Sequence, residues 1–488
     1  MLKDALGRFF SFPTMLLTAL FVSPFFASLD VQQGGPVIRD PDIWWHLRNA
    51  ETLLQTHHFI HQDAYSFTTL GQPWIDPEWL AELPYLLGFR LLGERGLFLV
   101  MLTAFELIIA GVLLLCYHRS GDVKAAFLAA WAAVLFAVIN LGPRTILFGW
   151  ICFIAMLLLL EEFRRGRDRL WLLVPLFCLW INLHGSWVIG FVFFLLFIVS
   201  GWAEGAWGSI EAVRWTPPEQ RKLLRVAIGS IAALFVNPYG WRLIAYPFDL
   251  QFSQKLNVAS IDEWQSVDFQ SFYGNLFFVV VAGMMVFNLA RRRAWPLHEL
   301  LFALLACYAG LYHKRFLFLT GIVLCPLLAV ELAGVVFMPY DPKRNKPLLS
   351  AAIMAGYLLF AIDHVPTSAV LRQAEAQYFP VGALPALESS CAGQRVFNRF
   401  EWGGYLIWNA RATPVFFDSR TDIFEYHGVL ADGLNTLNMN DSLGILDRYR
   451  IGCVLLDPGE ELVYQLRRTP GWRVGYEDRT AVLLRAPE

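Results

Sequence analysis

The 488-residue sequence predicts a polytopic α-helical membrane protein with a small C-terminal α/β domain outside the cytoplasm. Three observations carry that reading. Hydrophobic residues make up 56% of the chain, charged residues only 16%, and the mean hydropathy is +0.47, whereas soluble globular proteins average about 45–50% apolar and 25% charged. Apolar stretches near the ~17–25 residues needed to cross a bilayer recur as far as Ile362. Arginine and lysine collect in every second connecting loop.

The apolar stretches run from Phe12 to Leu29, Gly96 to Tyr117, Ala125 to Leu141, Thr145 to Leu160, Leu170 to Leu183 and Trp187 to Trp202. They continue from Val226 to Tyr239, Tyr273 to Leu289, Leu297 to Tyr312, Phe316 to Phe337 and Leu348 to Ile362. The expected count is about 11 spans. The first follows Lys3 and Arg8 without a small-residue cleavage site, so it reads as an uncleaved helix rather than a signal peptide.

One set of loops carries Lys3 and Arg8, Arg119 and Lys124, Arg164 with Arg165, Arg167 and Arg169, and Arg214 with Arg221, Lys222 and Arg225. The same set holds Arg291, Arg292 and Arg293, then Lys343, Arg344 and Lys346. The other set has only scattered cations, such as Arg48, Arg144, Arg242, Lys314 and Arg315. Positive charge marks the cytoplasmic side, so the N-terminus is expected inside and, with an odd number of spans, the C-terminus outside. The expected location is the inner (plasma) membrane.

From about Asp363 short β-like runs appear at Arg395 to Asn398, Pro414 to Asp418, Cys453 to Asp457 and Ala481 to Arg485, separated by helix-like segments such as Ser442 to Tyr449. The expected organisation is a transmembrane domain over 1–363, with a long external loop at 30–95, and a soluble α/β domain over 364–488. Cys116, Cys152, Cys178, Cys307 and Cys325 lie in apolar runs and read as packing residues. Cys391 and Cys453 both fall in the outer domain, where an oxidising compartment would allow them to pair; spacing leaves the pairing open.

The formal net charge of −2 gives no signal for a nucleic-acid partner. The sequence has no Walker-type loop, no GxGxxG and no metal-binding cysteine array, which argues against a nucleotide-driven pump.

The external loop holds two amphipathic patterns. Ile43, Trp44, Leu47, Ala50 and Leu54 recur at helical spacing within Asp42 to Gln55, and Trp79, Leu80, Leu83, Leu86 and Leu87 do so within Glu78 to Leu92. Both read as helices lying in the membrane interface, with tryptophan at their starts in the headgroup layer. They flank Asp40, Asp42, His46, His57, His58, His61, Asp63, Asp76 and Glu78. Asp42 and Asp76 sit where an acidic residue caps a helix; equally, an acid beside a membrane surface can act as general base for an acceptor hydroxyl.

The run Asp42-Ile-Trp-Trp-His-Leu-Arg-Asn-Ala-Glu-Thr-Leu-Leu-Gln-Thr56, followed by Gly71-Gln-Pro-Trp74, Trp79-Leu-Ala-Glu-Leu83 and Leu91-Leu-Gly93, resembles the first external loop of GT-C membrane glycosyltransferases. The similarity is to the polyprenyl-phosphate-sugar-dependent branch of protein mannosyltransferases and aminoarabinose transferases. It covers roughly the first quarter of the chain by motif and the rest by topology. The resemblance implies a GT-C-like fold and transfer of a sugar from a polyprenyl phosphate donor to a lipid, glycan or protein acceptor. It also implies an acidic base at the start of the first juxtamembrane helix. The branch's usual Asp-Glu pair is absent: Ile43 follows Asp42, and the second acid is Asp40. Asp42 has the offset to Leu54-Gln-Thr56 that fits the pattern best, and Asp40 is the alternative. No cofactor is required, although Asp40 and Asp42 are candidates for a divalent cation.

Basic residues at external helix ends carry the donor phosphate in that class, which points to Lys314 and Arg315, with Arg144 and His184 at the same face. His46, Asp63 and Glu78 complete the donor-site candidates. Snorkelling, or pairing with Asp262, Glu263 or Asp268, explains such residues without a ligand. Asn237-Pro-Tyr-Gly240 reads as a helix stop, His184-Gly185 as a bend and Glu401-Trp-Gly-Gly404 as a tight turn. The charges of Phe417-Asp-Ser-Arg-Thr-Asp422 follow a strand, at a position suited either to ligand contact or to an internal Asp418–Arg420 pair. The rival readings are a secondary transporter or lipid flippase, for which inverted repeats would speak, and a non-catalytic envelope-assembly protein.

Overall fold

The computed structural model describes residues 7, 9–27, 40–137, 141–291, 293–333 and 340–487. Lys3, Arg8, Arg292, the loop segment 30–39 and parts of three expected spans (28–29, 138–140 and 334–337) lie outside the described residues. The helices up to the first outer segment are α1 (Phe12–Ala27), α2 (Asp42–Thr56), α3 (Trp79–Leu92), α4 (Glu94–Ser120), α5 (Val123–Ala137), α6 (Ile146–Arg164), α7 (Leu173–Leu183) and α8 (Trp187–Ser200). They continue with α9 (Pro217–Ala233), α10 (Trp241–Ser253), α11 (Lys255–Ser260), α12 (Phe272–Arg291), α13 (Leu297–Tyr312), α14 (Leu317–Leu332), α15 (Pro347–Asp363) and α16 (Ser368–Tyr378).

Each expected apolar stretch meets a helix. The largest offset is α9, which starts at Pro217 because Thr216 and Glu219 form a capping box ahead of a polar first turn. Among the described residues, Glu94–Ser120, Ile146–Arg164, Phe272–Arg291 and Lys314–Leu332 are long and apolar enough to cross a membrane. Five further apolar helices are shorter, and α15 with α16 forms a pair bent by 55°. Leu107, Phe278, Met285 and Leu289 project from these helices into the surroundings, as expected of a multi-pass membrane protein.

The two sets of loop charges gather at opposite ends of α6. At its C-terminal end Arg119 bonds Glu161 at 3.3 Å and pairs with Glu299, while Arg293 lies 3.4 Å from Glu331. At its N-terminal end Arg144 meets Asp40 and Glu263.

Helices α2 and α3 form where the amphipathic patterns placed them; the apolar face of α2 packs on protein, whereas in α3 Leu86 is buried and Leu87 is exposed. Ile43, Trp44, Leu47 and Ala50 are buried against protein. Trp44 packs edge-on against Tyr405 and Phe379, at ring distances of 5.1 and 5.7 Å. A helix face of that size finds enough protein partners because the C-terminal region folds back over it.

That region carries a four-stranded sheet of order β4-β5-β7-β6, after a small three-stranded sheet of β1 (Gly205–Trp207), β2 (Ile210–Ala212) and β3 (Trp295–Pro296). Strand β4 (Arg395–Asn398) runs parallel to β5 (Ile451–Leu456), which pairs antiparallel with β7 (Val482–Arg485); β6 (Arg473–Glu477) closes the far edge. Cys391 and Cys453 form a disulfide with Cα atoms 6.2 Å apart. Pro414 to Asp418 is not a full strand: Val415 makes single bridges to Val396 and to Ser66, so the external loop extends the β4 edge.

Glu401-Trp-Gly-Gly404 is not a turn but the start of a helix, Gly403–Asn409. The glycines serve close approach: a Cβ at Gly404 would meet the Pro41 carbonyl oxygen at 2.3 Å, and one at Gly403 the Phe417 carbonyl oxygen at 2.3 Å. This helix therefore clamps the chain just before α2.

Asp63 and the Phe417–Asp422 segment meet in the same junction. Arg420 donates to both oxygens of Asp418 at 2.8 and 2.7 Å and lies 2.8 Å from Asp63, all three buried, with its guanidinium against the Tyr65 and Trp74 rings. Arg420→Met would leave two buried carboxylates without a counter-charge, and such losses cost about 3–5 kcal/mol. We expect a lower thermal midpoint in detergent, partly restored when Asp63→Asn and Asp418→Asn are added.

Candidate active site

The candidate site lies where α2, α3, α6, α7 and the segment before α14 converge beneath the C-terminal region. A cavity of about 590 Å³ is lined by Asp42, Trp45, Trp74, Glu78, Arg144 and Arg315 on one side and by Arg399, Glu401, Ser419 and Asp422 on the other. A smaller cavity of about 100 Å³ shares Asp42, Glu78, Arg144 and Arg315 as walls and adds Asp40, His46 and His184.

Pro41 is the N-cap of α2, and Asp40 ahead of it binds the helix start: its Oδ1 accepts from the Asp42 backbone N–H at 2.9 Å, while Oδ2 accepts from Arg144 Nε at 2.5 Å. Asp42 is left in the first helical turn, where the helix dipole favours a negative charge, with its side chain facing the cavity. Trp45 Nε1 donates to Asp42 at 3.3 Å and to Ser419 at 3.1 Å. Burial first and the Asp40 charge second push the Asp42 carboxyl up to about 7, against the opposing pull of Ser419, Arg144 and Trp45.

Behind Asp42 stands a buried carboxyl–imidazole cluster. Burial raises Glu78 to about 8, and Thr145 donates to its Oε2. His184 accepts from the Ser186 N–H at Nδ1, so Nε2 carries the proton facing Glu78 Oε1 at 3.2 Å. His46 lies 2.7 Å from Glu82 and 3.5 Å from Glu78. Burial holds both imidazoles down to about 3, with His184 adding to the effect on His46 and Arg315 to that on His184. They are neutral near pH 7 and shape the pocket without contributing charge to a phosphate.

Arg315 and Lys314 diverge. The Lys314 ammonium donates to Asp262 at 2.6 Å and lines neither cavity. Arg315 lines both, stacks over Trp264 at 4.2 Å and makes no ion pair among the described residues; its Nε is buried without a hydrogen-bond partner. Asp63 lies outside both cavities, held by Arg420 and by Ser66 and Thr69. The structure thus brings together Asp40, Asp42, His46, Glu78, Arg144, His184 and Arg315 from the sequence candidates.

Ser419, Glu263, Tyr246 and Arg399 also line the cavity and are not among the site candidates named from the sequence. Ser419 lies inside the charged segment singled out after the strand, so a signal existed there; Tyr246 in α10 had none. Asp422 accepts from Trp74 Nε1 at 3.0 Å and is raised by burial to about 6. No group of three or more His, Cys, Asp or Glu among the described residues is placed to hold a metal ion.

No family model and no curated protein matches the sequence. Solved structures do match. ArnT from Cupriavidus metallidurans, bound to undecaprenyl phosphate, aligns over 96% of this chain and 97% of its own, with a TM-score of 0.56 and 15% identity. The Archaeoglobus fulgidus oligosaccharyltransferase, tethered through a disulfide to an acceptor peptide containing the NVT sequon, aligns over 92% of this chain and 70% of its own, with a TM-score of 0.57 and 15% identity. Its apo form gives 0.52 at 14% identity, over 90% and 69%. The chain has the fold of these membrane transferases. The likeness to GT-C glycosyltransferases read from the external loop therefore holds for the fold, and the chemistry has to be argued from the site.

Proposed function

We propose that this protein transfers a sugar from a polyprenyl phosphate donor to an acceptor at the outer face of the inner membrane, with about 11 spans, a cytoplasmic N-terminus and the 364–488 region forming the outer domain. The reading is carried by one observation: a carboxyl tuned to about 7 and a guanidinium without an ion pair among the described residues share the walls of one cavity. The acceptor hydroxyl gives its proton to Asp42 while its oxygen attacks the anomeric carbon. The bond from that carbon to the phosphate oxygen breaks, its electron pair leaves with the polyprenyl phosphate, and Arg315 steadies the new charge. A single direct displacement inverts the sugar carbon. Asp40 and Arg144 position Asp42, and Trp45 and Trp74 offer apolar faces to the sugar ring. No cofactor enters the scheme.

The test is transfer of radiolabelled sugar from a panel of polyprenyl phosphate donors to membrane acceptors by the reconstituted protein, with and without a chelator. A base must be deprotonated, so the rate is expected to rise with pH through about 7 and to fall by about tenfold per unit below it. Chelation is expected to leave transfer intact. A rate that is flat between about pH 5 and pH 9 removes Asp42 from the base role. No transfer from any donor, combined with movement of a fluorescent polyprenyl lipid between leaflets, replaces the reading with a flippase.

A further inference from the structure

The proposed transfer uses Asp42, Arg144 and Arg315 on one side of the cavity of about 590 Å³ and leaves a buried carboxyl on the other side without a task. Asp422 lies in the short helix Thr421–Tyr426, is 6% exposed and lines that cavity. Two indoles connect it to Asp42. Trp45 Nε1 donates to Asp42 at 3.3 Å, Trp74 Nε1 donates to Asp422 at 3.0 Å, and the two rings meet edge to face at 5.9 Å. The aromatic surface offered to a sugar ring thus has a carboxyl at each end.

Anchoring an indole N–H does not require a charge. A neutral carbonyl or hydroxyl oxygen would accept from Trp74 at a smaller desolvation cost than a buried carboxylate. Asp422 makes no ion pair among the described residues, and Arg420, two residues before it, spends its guanidinium on Asp418 and Asp63. Burial raises the Asp422 carboxyl to about 6, opposed by the Arg420 charge and by bonds from the Ile423 N–H, Trp74 and Tyr246. It is therefore ionised at neutral pH. A carboxylate has about four acceptor sites, so these contacts leave it able to take a further donor from the cavity.

A second acceptor stands on the element packed against the same short helix. Asn257 of α11 is 2% exposed and lines the cavity. Its backbone N–H donates to Glu425 at 2.7 Å, and its Nδ2 donates to Gln254 at 2.8 Å, while its Oδ1 is buried without a hydrogen-bond partner. An oxygen left in that state is destabilising until a donor reaches it. The two side chains together call for a ligand rich in hydroxyl donors. An ionised phosphate has no donor to give and is repelled by Asp422, and an alkyl chain would leave both oxygens unsatisfied. The hydroxyl groups of a sugar whose ring lies on Trp74 satisfy them.

We propose that Asp422 and Asn257 bind hydroxyl groups of the transferred sugar and select a neutral sugar against one that bears a carboxylate. The inference rests on the sugar-transfer reading above and adds to it the residues that choose the sugar. Selection has an attractive and a repulsive part: buried acceptors reject a sugar that lacks the matching hydroxyl, and the Asp422 charge rejects an anionic one.

The test is equilibrium binding to the full chain in nanodiscs at about pH 8, above the Asp422 value. The ligands are farnesyl phosphate, the same lipid carrying in turn a panel of neutral hexoses, and the same lipid carrying glucuronate. The parent is expected to bind one of the hexosyl forms at least about tenfold more tightly than farnesyl phosphate, and to bind the glucuronyl form no more tightly than farnesyl phosphate. Asp422→Asn is expected to lose about tenfold of the hexose preference, to leave farnesyl phosphate binding unchanged, and to bind the glucuronyl form more tightly than the parent does. That gain cannot come from a misfolded chain or from a residue that only holds Trp74. Asn257→Ala is expected to lower the hexose preference severalfold without the glucuronyl gain. Equal binding of all ligands by the parent overturns the proposal, as does an Asp422→Asn variant that keeps the hexose preference and still rejects glucuronate. Transfer assays on the same proteins separate this from the reaction. Sugar-dependent binding that responds to Asp422→Asn without any transfer keeps the recognition and removes the reaction; transfer with a sugar preference unmoved by Asp422→Asn keeps the reaction and removes the recognition.

Discussion

Asp42→Asn is expected to lower sugar transfer by about 10²–10⁴-fold at neutral pH, the range associated with removing a general base. Asparagine has the shape of aspartate and can still accept from Trp45 Nε1, so the start of α2 should be preserved and the loss should fall on kcat. The pH rise through about 7 should vanish with it. Asp40→Asn provides the contrast. Asp40 holds Arg144 and the Asp42 backbone, and its charge raises the Asp42 carboxyl. Removing that charge makes the Asp42 carboxyl more acidic, so the limb of the rate profile should move to lower pH while transfer survives. The sign follows from linkage: a neighbouring anion disfavours the ionised carboxylate, and its loss favours it. Abolition by Asp40→Asn with survival in Asp42→Asn would exchange the two roles.

The membrane helices were legible because hydrophobicity over about 20 residues is a strong signal that few other structures produce. The juxtamembrane helices were legible from period alone, and α2 starts at Asp42 as the pattern required. What period does not reveal is the partner of an apolar face. Trp44 looks the same in sequence whether it meets a headgroup or Tyr405, and the answer depends on a helix more than 350 residues later. The same blindness affected Gly403-Gly404, where two glycines signal a turn locally but serve close approach to Phe417 and Pro41.

The site divides along similar lines. Asp42, Arg144, His184 and Arg315 could be gathered in advance because the expected topology puts all of them at one face of the membrane. Lys314 and Arg315, adjacent in sequence, could not be separated until the segment before α14 set one toward Asp262 and the other toward Trp264. Asp63 was drawn in by its charge, yet charge alone does not distinguish a ligand contact from the buried partner of Arg420. The Asp418–Arg420 pair, by contrast, was one of two stated alternatives, since residues two apart after a strand can reach each other.

Arg315→Ala is expected to cost about 10²–10³-fold in kcat, the scale seen when one preorganised group that stabilises developing charge is removed. The polyprenyl phosphate gains negative charge as the sugar–oxygen bond breaks, so the loss should exceed any effect on donor affinity. The guanidinium is well prepared for that task. It is packed on the Trp264 ring, it makes no ion pair among the described residues, and its buried Nε has no acceptor. A buried donor left unsatisfied costs about 1–3 kcal/mol, a cost that an incoming phosphate oxygen would relieve. Arg315→Lys keeps the charge but loses the planar fork and the stacking, and should recover only part of the rate. Lys314→Ala should be nearly silent, because its ammonium is already paired with Asp262 outside the cavity. Single-turnover transfer with each variant at saturating donor measures the step directly. If Arg315→Ala matches the parent while Lys314→Ala fails, the leaving phosphate lies at the Asp262 rim and not beside Asp42.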